Sequence, residues 1–141
     1  MPTLFTRIIE GELPGRIVWS DDLAVAFLSI NPLGPGHTLV VPRAEVDHWV
    51  DAEPDLVAHL TGVAQVIGRA VQELWSPPRV GLIVAGFEVP HVHIHVFPAW
   101  TMGAFDFAQA ARTIDDAEQD AHRDRLRAAL RDAGHGAHVP S

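Results

Sequence analysis

The chain has 141 residues, 48% of them hydrophobic and 20% charged, the size and composition of one ordinary globular domain that needs no covalent staples. It holds no cysteine and all ten of its basic residues are arginine, which excludes disulfides, thiolate metal sites, a cysteine nucleophile, a P-loop lysine and a Schiff-base lysine. Ten positive charges against eighteen negative leave −8 with the histidines neutral, the opposite of the balance that a nucleic-acid backbone attracts.

Met1 to Phe5 lacks the basic start and apolar core of a secretory signal, and the longest run without polar side chains, Val80 to Phe87, is far too short to span a membrane. The expected setting is the cytoplasm. Thr3 to Glu10 predicts a short helix, closed by Gly11 and Pro14. Arg16 to Ser20 reads as a strand, Asp21-Asp22 as a turn, and Leu23 to Leu28 as a second strand. The Pro/Gly-rich loop from Ser29 to Gly36 leads into a third strand, His37 to Val41, which Pro42 ends.

The strongest helix signal runs from Asp51, as N-cap, to Leu74. Leu56, Leu60, Val63, Ile67, Val71 and Leu74 recur at three- and four-residue steps and form one buried stripe. Val80 to Ala85 is a buried-type strand, Gly86 marks a turn, and His91 to Phe97 is a strictly alternating strand. A last helix is expected from Ile114 to Asp132, with Thr113 as cap and Gly134 as stop. Its Asp120, Arg123, Asp124, Arg127 and Arg131 read as a solvated face, and Gly134 to Ser141 as a mobile tail. The pattern predicts a single α+β domain over residues 1–141: a mostly antiparallel sheet covered by one long helix.

Histidine is the unusual residue. There are nine, and three fall within five positions, His91, His93 and His95. On an extended strand same-side neighbours stand roughly 7 Å apart, so these three line one face while Val92, Ile94 and Val96 pack on the helical stripe. Three readings compete: satisfied structural histidines, a metal site with His37 as fourth ligand, and phosphoryl chemistry in which a neutral imidazole attacks phosphorus.

The motif His91-Val-His-Ile-His95-Val-Phe resembles that of the histidine triad (HIT) proteins. Leu4 to Pro14, Ala26 to Pro32 and Pro35 to Pro42 resemble, in order and spacing, the preceding segments of that family's purine nucleoside phosphoramidase branch. The likeness covers residues 3–98 and leaves 99–141 divergent. It implies a nucleotide-binding hydrolase or nucleotidyl transferase acting on purine nucleotides or nucleoside phosphoramidates through a nucleotidyl-histidine, without metal or cofactor. His93 is then the nucleophile, oriented by the backbone carbonyl of His91. His95 contacts the phosphate and assists the leaving group, and His37 and His91 form a layer behind the nucleophile. Phe5, Ile8, Phe27 and Ile30 sandwich the base, Ser29 meets the ribose, and the backbone of Gly86, Glu88 and Val89 meets the phosphate. The branch is homodimeric, so a homodimer is expected here.

Three positions depart from the branch. Ser29 stands where Asp or Asn is usual, Phe87 replaces a glutamine, and Glu88 stands where a small hydroxyl residue is common. A carboxylate beside a phosphate repels it, so a catalytically weak binding or scaffold module stays open as an alternative, as does a histidine-ligated metalloprotein. Trp100 is a candidate wall for the leaving group, with packing as its simpler role. His48, His59, His122, His135 and His138 are read as surface or tail residues.

Overall fold

A computed structural model describes residues 1–141. Five antiparallel strands, β1 (Ile17–Ser20), β2 (Ala24–Leu28), β3 (Thr38–Pro42), β4 (Arg79–Ile83) and β5 (Ile94–Ala99), lie in the order β1-β2-β3-β5-β4. Helices α1 (Leu4–Ile9), α2 (Pro54–Trp75) and α3 (Asp116–Leu130) flank the sheet. The architecture is α+β, as expected. No helix is long and apolar enough to cross a membrane.

The stripe on α2 meets the sheet as its spacing requires. Leu60, Val63, Ile67 and Val71 are buried with Val92, Ile94 and Val96 in one cluster. The covering layer holds more than the one helix expected, because Leu126 and Leu130 of α3 are fully buried in the same cluster. On the opposite face Phe5 of α1 closes a smaller cluster with Val25, Phe27, Leu39 and Val41.

Several boundaries shift, each for an identifiable reason. Asp51 does not cap α2. It ends a separate 3-10 turn, Trp49–Asp51, and Glu53 holds the cap position with extended backbone (φ −59°, ψ 139°), because Pro54 at the first helical position disfavours helical backbone in the residue before it. Asp115, not Thr113, caps α3, accepting from the Glu118 N–H at 3.1 Å. Asp followed three residues later by Glu is the stronger N-terminal signal.

Strand β5 begins at Ile94 rather than His91. Continuing the β3–β5 register past Val40 and Ile94 would place Val92 opposite Pro42. Proline has no N–H to donate, so the ladder stops there. The Val92 N–H turns to the Val46 carbonyl instead, at 2.7 Å.

The charged face of α3 is less solvated than its pattern implies. Arg127 donates to the Ile17 carbonyl at 2.8 and 2.6 Å, meeting a backbone acceptor on the edge strand β1. Arg16 reaches Asp120 at 2.8 Å and Asp116 at 2.9 Å. The C-terminal tail is also tied down. Gly134 turns the chain with φ 95°, His135 and His138 pack on Trp19 at 5.5 and 4.8 Å between ring centroids, and Arg131 donates to the Pro140 carbonyl at 2.7 Å. Two more histidines read as surface residues have partners: His59 lies 2.8 Å from Asp21, and His122 packs edge-on against Trp75 at 5.3 Å.

Candidate active site

His37 sits just before β3, His91 and His93 on the unpaired approach to β5, and His95 within β5 beside β3. The structure brings these four rings together. His93 and His95 lie 4.9 Å apart and His37 and His95 5.2 Å apart, centroid to centroid.

Backbone groups settle the tautomers, since a neutral imidazole has one N–H and one lone pair. His93 Nδ1 lies 2.8 Å from the His91 carbonyl oxygen, which can only accept. Nδ1 therefore carries the proton, and Nε2 presents a lone pair. This is the orientation the resemblance implied. His91 Nε2 likewise donates to the Pro42 carbonyl at 2.7 Å.

The other pair runs the opposite way. The Leu33 N–H donates to His37 Nδ1 at 2.9 Å, so the proton of neutral His37 sits on Nε2. That N–H meets His95 Nδ1 at 3.0 Å, which leaves His95 with an N–H on Nε2. A lone pair on His93 and a donor on His95 result, one suited to attack and the other to a phosphoryl oxygen or a departing atom. The support is divided: His91 backs His93, while His37 backs His95.

Three of the rings, His37, His91 and His95, are biased towards the neutral form. Burial, then the neighbouring His95 and His93, pushes His37 down to about 3. Burial, then His93, pushes His95 down to about 4. Burial lowers His91 too, opposed by its bond to the Pro42 carbonyl and by Glu45. The donor set does not suit a metal ion. Both nitrogens of His37 and His91 are spent on hydrogen bonds, and no three His, Asp or Glu side chains are placed to share one metal ion.

The residues expected around the base divide into floor and rim. Phe5 and Phe27 are buried, edge-to-face at 5.5 Å, with Phe5 5.0 Å from His93. Two buried rings so arranged present no open sandwich, and the exposable surface belongs to half-buried Ile8 and to Ile30, which is 69% exposed. Ser29 is buried and its hydroxyl accepts from the Asn31 N–H at 3.1 Å, leaving its proton free to donate. Gly86 adopts φ 83°, a turn that favours glycine. Glu88 is exposed and forms no ion pair, while half-buried Val89 packs against the Phe5 cluster.

Two residues with a place at the site were not singled out from sequence. Phe107 packs at a tilt against His95, 4.8 Å between ring centroids, whereas Trp100 is half exposed and pairs with none of the histidine rings. The segment carrying Phe107 is pinned to the His37 loop by the Ala111 N–H on the Pro32 carbonyl, 3.0 Å, and by the Asn31 amide on the Ala111 carbonyl, 3.1 Å. Thr3 donates to His91 Nδ1 at 2.6 Å. Neither contact has a local signal, since 88 positions separate Thr3 from His91.

The chain has relatives among known proteins. An uncharacterized HIT-like protein of Mycobacterium tuberculosis is 31% identical over 135 residues, covering 92% of this chain and 94% of that protein. The adenylylsulfatase HINT3 of Arabidopsis thaliana is 30% identical over 100 residues, covering 67% of this chain and 51% of that protein. A crystal structure of a zinc-bound histidine triad family protein from Mycobacterium smegmatis superposes with a TM-score of 0.80 at 27% identity, covering 94% of this chain and 96% of that one. The HIT domain profile itself spans residues 10–102, from the end of α1 past the last histidine of the triad, and the chain belongs to the HIT family.

Proposed function

We propose that this protein is a nucleotide hydrolase or nucleotidyl transferase that cleaves nucleoside phosphoramidates, or related nucleotide esters, at the α-phosphate. The observation that carries this reading is the pair of opposed tautomers: a lone pair on His93 Nε2 beside an N–H on His95 Nε2. His93 Nε2 attacks phosphorus, an N–P bond forms, and the bond to the leaving group breaks. The positive charge that develops on the His93 ring is met by the His91 carbonyl at Nδ1. His95 contacts the phosphate and assists the departing group. Water then attacks the nucleotidyl-histidine, releasing the nucleoside monophosphate and restoring the imidazole.

The base rests against Ile8 and Ile30 over a floor of Phe5 and Phe27, with Ser29 at the ribose. The backbone of Gly86, Glu88 and Val89 faces the phosphate, which suits a chain without lysine. The adenine nucleotide implied by the name of the Arabidopsis relative supports a purine substrate. The setting is the cytoplasm.

The test is a quenched reaction with radiolabelled adenosine phosphoramidate. Label should appear on the protein transiently and vanish in His93→Ala. Tight adenosine monophosphate binding with neither label nor turnover would replace the hydrolase with a scaffold module, in which Glu88 and Ser29 have blunted catalysis.

The active unit is a homodimer. Strand β4 is an unpaired sheet edge, and a groove of about 700 Å³ beside it is lined by Ala58, Gly62, Gly68, Val80, Leu82 and Val96. Sedimentation at micromolar concentration should give twice the chain mass, and a monomeric mass would remove the dimer.

A further inference from the structure

Thr3 sits where three elements meet. Its hydroxyl caps α1 by accepting the Thr6 N–H at 3.1 Å, and its own N–H donates to Glu45 Oε1 at 2.9 Å. A hydroxyl has a single proton to give. Its shorter contact is His91 Nδ1 at 2.6 Å, with the Thr6 hydroxyl farther off at 3.2 Å. The Thr6 hydroxyl in turn bonds to the Glu45 carboxyl, which together with the Thr3 N–H keeps that carboxyl below its usual range.

His91 is wholly buried, so each of its ring nitrogens needs a partner. Nε2 has the Pro42 carbonyl and Nδ1 has Thr3. The carbonyl of this same residue holds the proton of His93 Nδ1. Resting on the histidine-nucleophile reading above, we infer that Thr3 is a positioning residue for the nucleophile: its hydroxyl locks the His91 ring and so keeps the His91 carbonyl aimed at His93. The same contact ties α1, which carries Phe5 and Ile8 of the base site, to the nucleophile. Without the hydroxyl, a buried lone pair has no donor and the ring can turn to find one. A displacement of about 1 Å at a reacting group is enough to cost roughly 100-fold in rate.

The test compares Thr3→Val, which keeps the shape and loses the hydroxyl, with Thr3→Ser, which keeps the hydroxyl. Arg7→Gly, at an exposed position of α1, weakens the helix without touching His91. With adenosine phosphoramidate, Thr3→Val should lower kcat about 10- to 100-fold with KM changed less than about threefold, while Thr3→Ser and Arg7→Gly stay within about threefold in kcat. Nitrogen-15 spectra of the imidazoles should show His93 as a single Nδ1–H tautomer in the natural protein and Thr3→Ser, and as a tautomer mixture in Thr3→Val. A Thr3→Val protein with unchanged kcat and a single His93 tautomer would overturn the inference. So would an Arg7→Gly protein that loses as much kcat as Thr3→Val. If the natural protein turns over no nucleotide, the hydrolase reading falls by itself, and the tautomer spectra alone decide the role of Thr3.

Discussion

The two faces of the sheet are built on opposite rules. The face under α2 and α3 is dry and apolar, with Val18, Val40, Ile67 and Val71 fully buried among interchangeable neighbours. The other face carries the four site histidines, and six of their eight ring nitrogens are committed to named partners. On the first face energy depends on volume and area, so a similar shape suffices. On the second it depends on the direction of each proton. An apolar group of equal shape cannot replace a hydroxyl or carbonyl there. The contrast predicts that damage to one face is read in stability and damage to the other in chemistry.

The largest effect should come from the histidine face. His93→Ala removes the attacking nitrogen and should cost about 10⁴-fold or more in turnover, with the melting temperature nearly unchanged. Steady-state kinetics and calorimetry on one preparation check both halves, and a protein that melts early instead would break the comparison. Next comes the apolar face. Ile67→Ala leaves a hole at a fully buried position and should cost about 2–5 kcal/mol in denaturant unfolding. Turnover per folded molecule should stay the same.

The smallest effect per step links the faces through pH. His37 and His95 sit at about 3 and about 4 in the folded protein, against an ordinary value of 6.5. Folded values below the unfolded ones mean that the unfolded chain binds more protons in this window. Their contribution to stability is therefore complete above pH 6.5 and lost as pH falls through about 4 and then 3. The slope approaches about 1.4 kcal/mol per pH unit for each histidine. Urea titrations between pH 7 and 4 measure it, and replacing either ring with an apolar one should flatten the curve.

How much was legible in the sequence follows the same divide. The α2 stripe, strand β2 and the packing of Val92, Ile94 and Val96 were readable because burial has a period, and a period is visible in one dimension. The triad was readable because its members are neighbours in the chain. The caps at Glu53 and Asp115 were missed because several acceptors compete locally and proline rules on one side only. Thr3 and Phe107 were missed because their partners, His91 and His95, are distant along the chain. The solvated face assigned to α3 failed at Arg127 for a related reason. A guanidinium at helical spacing gives no sign that a sheet edge lies within its reach.

Pro42 joins these two kinds of information. By withholding an N–H it stops the β3–β5 ladder at Ile94, one step short of His93, and its carbonyl is the acceptor that His91 needs. Sheet alignment and imidazole chemistry are thus a single coordinate. Sliding β3 by one residue would unseat the core and, in the same movement, strip His91 of its acceptor. A misaligned fold of this chain could not pass as a working one, so the proline acts as an assembly check written into the strand.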